Sequence, residues 1–204
     1  MTTPRSATLQ LLLASSFISA AAYGQANCLF NETFEGESLP AGWSMAPEAV
    51  ERLDANGVGT GQFTAPFSVG GSAQANSAGY FPVPNLPAGN RFALANDDAP
   101  PCDCALDQVG LISPTIDLTT AVAPAVSFRY YHDGRPFNGR AWVDLSTNGS
   151  DWSTLMELAE EVGAWQYTSI DLSSYVGGSI SLRFRYDDGD DWASGFALDD
   201  LCVF

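Results

Sequence analysis

The sequence predicts an all-β protein, two antiparallel sheets packed as a sandwich. Three observations carry this expectation. Apolar and polar residues alternate through the second half of the chain, the period-2 signature of a half-buried strand. Turn signals fall between the alternating runs at His132-Asp133-Gly134, Thr147-Asn148-Gly149-Ser150, Val176-Gly177-Gly178 and Asp187-Asp188-Gly189. Asn-Gly is the strongest short hairpin cue, and strands at this spacing favour a two-sheet sandwich. Finally, 19 Gly and 12 Pro in 204 residues argue for many turns and few long helices.

The first 26 residues read as a secretory signal. Arg5 is the lone charge of a short basic region, and Leu11 to Ala22 is a mostly apolar run of h-region length. Small residues follow, suited to cleavage after Gly24 or Ala26. The run is too short and too rich in Ser and Ala to span a bilayer. Residues 27–204 are then one domain, exported and placed outside the cell or on its surface. Its first strand carries Cys28, Glu32 and Glu35. Residues 55–90, rich in Gly, Ala, Ser, Asn and Pro, predict long connections with short strands around Phe63 and Phe67. They are too apolar for a free linker, so no boundary falls there. Phe92 to Asn96 leads into an acidic loop that ends at Cys104.

Three later strands show their phase clearly. Even positions face inward in Val126–His132, odd ones in Ala141–Ser146, and even ones again in Ile180–Tyr186. In the last strand, Leu198 and Leu201 flank Asp199 and Asp200. Apolar residues three apart break the alternation, which predicts a β-bulge.

Composition narrows function. The chain is 46% hydrophobic and 16% charged, too apolar for a disordered protein. Without Arg5 it sets 24 acids against seven Arg, a charge of −17, with no Lys. Such a surface repels nucleic acid and anionic lipid and attracts divalent cations. Four Cys in an exported chain read as disulfides, with three pairings open. Zinc is disfavoured, because His132 is the only His and the Cys spacing does not fit.

Several segments, taken in order, carry a resemblance. They are Cys28-Leu-Phe-Asn-Glu32, Asn96-Asp97-Asp98, Leu111-Ile-Ser-Pro114-Thr-Ile-Asp117-Leu, Trp165 to Asp171-Leu-Ser-Ser-Tyr175, and Gly195-Phe-Ala-Leu-Asp199-Asp200-Leu. The order resembles the MAM-like and cleaved-adhesin-like (choice-of-anchor-J type) modules of secreted bacterial proteins. The resemblance implies a jelly roll of the galactose-binding kind with its first and last strands side by side. It also implies a structural calcium ion held by acids on those strands, and binding or adhesion in place of catalysis. On that implication Cys28 bridges Cys202, leaving Cys102 with Cys104. Glu32, Glu35, Asp97, Asp98, Asp199 and Asp200 become the candidate calcium ligands, since calcium takes six to eight hard oxygens. The run Asp187 to Trp192 has the wrong spacing for an EF-hand and reads as an exposed turn.

The strand phases point Arg129, Tyr131, Trp142, Asp144, Arg183 and Arg185 away from the core. If their strands share a sheet, Arg129, Tyr131, Trp142, Arg183 and Arg185 form a ligand patch. Flat aromatics would meet sugar faces, and Arg forks would meet hydroxyls or carboxylates. The bland alternative is cross-strand pairing that only tidies the surface. No Gly-x-Ser-x-Gly or His-Glu-x-x-His motif occurs, and a lone His at a strand end is usually structural. The expectation is a calcium-stabilised, noncatalytic binding module for an extracellular glycan or a matrix or cell-surface protein. A structural subunit of an extracellular fibre is the alternative, and a glycan-active hydrolase the third reading.

Overall fold

The computed structural model describes residues 27–204 apart from 55, 88, 99–101, 103, 190 and 191. The segment 1–26, expected to be a secretory signal, and part of the acidic loop therefore lie outside the described residues. Fourteen strands are described. They are β1 (Phe30–Glu32), β2 (Ser44–Ala46), β3 (Val50–Leu53), β4 (Gly59–Phe63), β5 (Ser68–Gly70), β6 (Phe92–Ala95) and β7 (Val109–Ile112). They continue with β8 (Ile116–Asp117), β9 (Ala125–Asp133), β10 (Arg140–Ser146), β11 (Ser153–Leu158), β12 (Gln166–Asp171), β13 (Ser179–Asp187) and β14 (Gly195–Val203). One short helix, α1 (Ser72–Ala75), precedes β6. Among the described residues no helix is long and apolar enough to cross a membrane.

Two six-stranded antiparallel sheets form the sandwich. The first runs β12-β9-β14-β6-β5 with β1 also on β14; the second runs β11-β10-β13-β7-β2 with β8 also on β13. The hairpin β3–β4 stands apart. Jelly-roll sandwiches bury one face of each sheet against the other. The predicted phases hold. Val126, Phe128 and Tyr130 from β9 meet Val143 and Leu145 from β10 and Leu182, Phe184 and Tyr186 from β13 in one core. Phe128 and Phe184 pack edge to face at 5.1 Å across it. His132 shares this phase and is buried against Tyr186 and Phe196. Burial holds the imidazole pKa below its usual value. Nearby acids and the carbonyls of Gly139 and Leu158 only partly offset that. His132 is a core residue.

β14 organises the termini. One edge pairs with β9 along its length. Its other edge is shared: Phe196–Leu198 pair with β6, and Leu201–Val203 pair with β1. Asp199 and Asp200 fall in the junction between the two partners. The register to β9 shifts between Asp199 and Cys202, and Asp200 has φ +50°. The bulge expected from the Leu198–Leu201 spacing is therefore present. Cys28 and Cys202 are bonded, with Cα atoms 5.4 Å apart, and Cys102 is paired with Cys104.

A second apolar cluster lies outside the sandwich and corrects one expectation. Tyr131 points away from the inter-sheet core, as its phase requires, yet it is fully buried. Residues from the 72–86 segment, including Ala75, Phe81 and Val83, close over Tyr131, Leu94, Phe92 and Ala197. Phe92 and Trp165 meet edge to face at 5.1 Å. Part of the segment read as long connections is thus a cover over Tyr131, Leu94 and Ala197 on the outer face of the first sheet. Tyr131 is packing and offers no ligand surface.

Candidate functional site

The junction on β14 gathers four of the six candidate calcium ligands. Glu32 ends β1 opposite Leu201, and its carboxylate accepts from the Thr33 and Phe34 N–H groups at 3.0 and 2.9 Å. That local turn swings Glu35 toward the chain entering β6, where its Oε2 accepts from the Arg91 N–H. Asn90 Nδ2 donates to Asp199 Oδ2 at 2.8 Å, and the Asp200 N–H donates to Asp199 Oδ1 at 2.8 Å. Asp200 reaches outward to Arg129, 3.0 Å away. Arg91 spends its guanidinium on the carbonyls of Gly36 and Val69.

Asp199 is fully buried, and its pKa is pushed up to about 7. Burial is the largest cause, hydrogen bonds from Asn90 and the Asp200 N–H oppose it, and the charges of Asp200 and Glu35 add to it. Four carboxylates (Glu32, Glu35, Asp199, Asp200) meet two guanidiniums (Arg91, Arg129) here, a formal excess of two negative charges. A buried carboxylate with too little positive charge nearby must take a proton or a cation.

Asp97 and Asp98 do not join this group. They lie past the other end of β6, beyond Ala95, which pairs with Phe196. Roughly 16 Å of strand separates them from Asp199 at the usual rise per residue. Asp97 is buried beside Tyr186, whose hydroxyl pKa is raised well above its usual value, first by burial and then by Asp97, Asp188 and Asp133. Six acids in one cage is therefore corrected to four at the terminal junction and two elsewhere. Among the described residues, no three His, Cys, Asp or Glu side chains alone are placed to hold a metal. A site here needs backbone carbonyls as well. The acidic run at Asp187 also differs from an exposed turn. Asp188 is buried and accepts from the Leu106 N–H at 2.6 Å, while Asp190 and Asp191 lie outside the described residues.

The expected ligand patch divides between the sheets. Arg129 is on β9 of the first, whereas Trp142, Arg183 and Arg185 are on β10 and β13 of the second. Those three do come together. Register sets Trp142 opposite Arg185 and Asp144 opposite Arg183. Asp144, 1% exposed at its side chain, accepts from Arg183 Nε at 3.0 Å, Arg185 Nε at 2.9 Å and Thr154 Oγ1 at 2.7 Å. Burial pushes this carboxyl upward, but hydrogen bonds from Arg185, Thr154 and Arg183 outweigh it and hold the pKa below the usual carboxylate value. The Arg140 and Arg185 guanidiniums lie 4.9 and 4.0 Å from the Trp142 ring centre, and Arg183 lies 4.6 Å from that of Trp152. Arg183 can lie flat because Gly110 is beneath it; a Cβ there would stand 2.7 Å from Arg183 Cδ.

Trp142 is thus 8% exposed and covered by arginines, so no free ring face is offered to a sugar. This corrects its reading as an open stacking platform. The sequence did not show this because alternation fixes which side a residue takes and says nothing of what covers it. Trp152, which lies outside the alternating runs, was missed for the same reason. Trp142→Ala is accordingly expected to lower stability by about 3 kcal/mol, a large-to-small change at a packed site. A thermal melt checks this; an unchanged Tm would mean that the arginines do not hold the ring.

No family model matches the chain, and no curated protein matches it in sequence. Solved structures do match. The K1 cleaved adhesin domain of Lys-gingipain from Porphyromonas gingivalis W83 superposes with TM-score 0.54 at 21% identity, over 86% of this chain and 96% of that one. The shared property is the fold. The K2 domain of the same protein gives 0.52 at 21% identity over 86% and 97%. Its K3 domain gives 0.53 at 19% identity over 85% and 95%. The chain is built as the β-sandwich of these adhesin domains.

Proposed function

We propose that this chain is a secreted, noncatalytic binding or adhesion module, made as residues 27–204 behind a signal at 1–26. In this reading it is of the MAM-like or choice-of-anchor-J type, with an extracellular glycan or a matrix or cell-surface protein as ligand. The observation that carries the reading is a sandwich matched almost end to end with domains named as cleaved adhesins. A structural calcium ion belongs to the same reading. Asp199 and Glu35 would hold it with backbone carbonyls, and Asp200 and Glu32 would join only by turning from the partners they have now; hard oxygens of this kind fit calcium. The buried, under-compensated carboxylate of Asp199 supports that fit. Bound there, the ion supplies positive charge and ties β1, β14 and the entry to β6 together.

The test is retention of the protein on an array of glycans and matrix proteins, in calcium and in chelator. Retention on at least one ligand, weakened by chelation, is expected. Retention on none, or assembly into concentration-dependent filaments, would replace this reading with the structural one.

A further inference from the structure

The cleft between α1 and the loop leading into β6 has a volume of about 530 Å³. That lies within the roughly 300–1,000 Å³ common for small-molecule sites. Ser72 from the helix and Asn85, Leu86, Pro87, Asn90 and Arg91 from the loop are among the residues that line it. None of the lining residues is acidic, in a chain with 24 acids. Leu86 and Pro87 supply an apolar wall. Asn85 is exposed and supplies an amide, with the Ser72 hydroxyl nearby. At Gly89, with φ +90°, an added Cβ would meet nothing within 4 Å, so the glycine leaves that side open.

The wall is also fixed at both ends. Pro84 O accepts from Ser72 Oγ at 3.2 Å and from Trp165 Nε1 at 2.9 Å. Asn90 is tied to Asp199, and Arg91 to Glu35, Gly36 and Val69. A loop clamped in this way loses little freedom when a ligand enters, which favours affinity.

We propose that this cleft is a binding subsite for one neutral sugar residue at the end of a glycan. The ring's apolar face would lie on Leu86 and Pro87, and its hydroxyls would meet the Asn85 amide and Ser72. A hydroxyl both donates and accepts, and so does an amide side chain, whereas a carboxylate ligand would face the long-range repulsion of a −17 chain. The site is remote in sequence from the arginine-covered Trp142, and it rests on the binding-module reading above.

The test is a titration of ¹⁵N-labelled protein, in calcium, with glucose, galactose, mannose, xylose, cellobiose and lactose, followed by amide shifts. Saturable shifts at Ser72, Asn85 and Leu86 with at least one sugar are expected, in the millimolar range usual for a single small ligand. Asn85→Ala should weaken that sugar about tenfold while leaving the Tm unchanged, because a lost hydrogen bond is worth that much. Shifts elsewhere with none at the cleft, or an Asn85→Ala protein that binds as tightly as wild type, would overturn the subsite. If the array retains the protein while the cleft shows no shift with any sugar, the subsite fails and the module reading stands. If neither shows binding, both fail.

Discussion

Asp144→Ala is expected to destabilise the protein by about 3 kcal/mol, the low end for removing one partner of a buried ion pair. The low end applies because Arg183 and Arg185 keep 21% and 16% side-chain exposure and can turn partly to water. Two guanidiniums then lose their shared acceptor, and the Arg185–Trp142 stack loses its anchor. For a domain of this size the change lowers the Tm by roughly 6–12 °C. Arg183→Gln should cost less, since Asp144 keeps Arg185 and Thr154. The pH dependence has a definite sign. The folded pKa of Asp144 is depressed, so its contribution is full above the unfolded value near 3.9 and is lost as pH falls through the folded value. Thermal melts of both variants check this, and an Asp144→Ala protein as stable as wild type would show the cluster to be a solvated surface.

The second large effect is at Asp199, where the sign is opposite. Its folded pKa is raised, so the folded state holds the proton more tightly than the unfolded chain does. Without metal, the contribution of Asp199 is most favourable below the unfolded value near 3.9 and is lost as pH rises toward about 7, above which the penalty is constant. A shift from 3.8 to about 7 bounds that penalty at about 4 kcal/mol, and local relaxation reduces it. Asp199→Asn removes the charge while keeping the shape. In chelator at pH 8 it should therefore melt above the wild type by an amount equivalent to a few kcal/mol, and the gap should narrow toward pH 4. Calcium should narrow that gap. An ion at a hundredfold excess over its Kd stabilises the wild type by about 2.7 kcal/mol and leaves the Asn variant unmoved. A variant that melts below wild type in chelator would show that the carboxylate is already neutralised within the protein.

The sequence made the sandwich legible where one face of a strand is buried and the other is not. β9, β10 and β13 show that asymmetry directly, and their inward residues form the core as their phases require. The bulge at Asp199–Asp200 was legible because two leucines three apart cannot face the same side of a regular strand. The pairing of β1 with β14, and with it the Cys28–Cys202 bond, came from the resemblance of the chain's ends. Sheet membership was not legible. Arg129 and Arg183 have the same phase, yet they lie on opposite sheets, because alternation within a strand holds no information about its neighbours. Nor was the cover over Tyr131 and Leu94, since the 72–86 segment is too short of regular structure to announce a packed face. Asn90 was missed among the site residues for a related reason. An amide in a Gly- and Pro-rich stretch has no pattern until Asp199 is placed beside it.

Direct calcium binding tests the central claim most simply. Calorimetric titration of chelator-stripped protein should show one ion per chain, absent in Asp199→Asn and retained in Asp98→Asn, because only the first residue lies at the junction of β1, β6 and β14. No binding by the wild type, or equal loss in both variants, would contradict a calcium ion that locks the terminal strands.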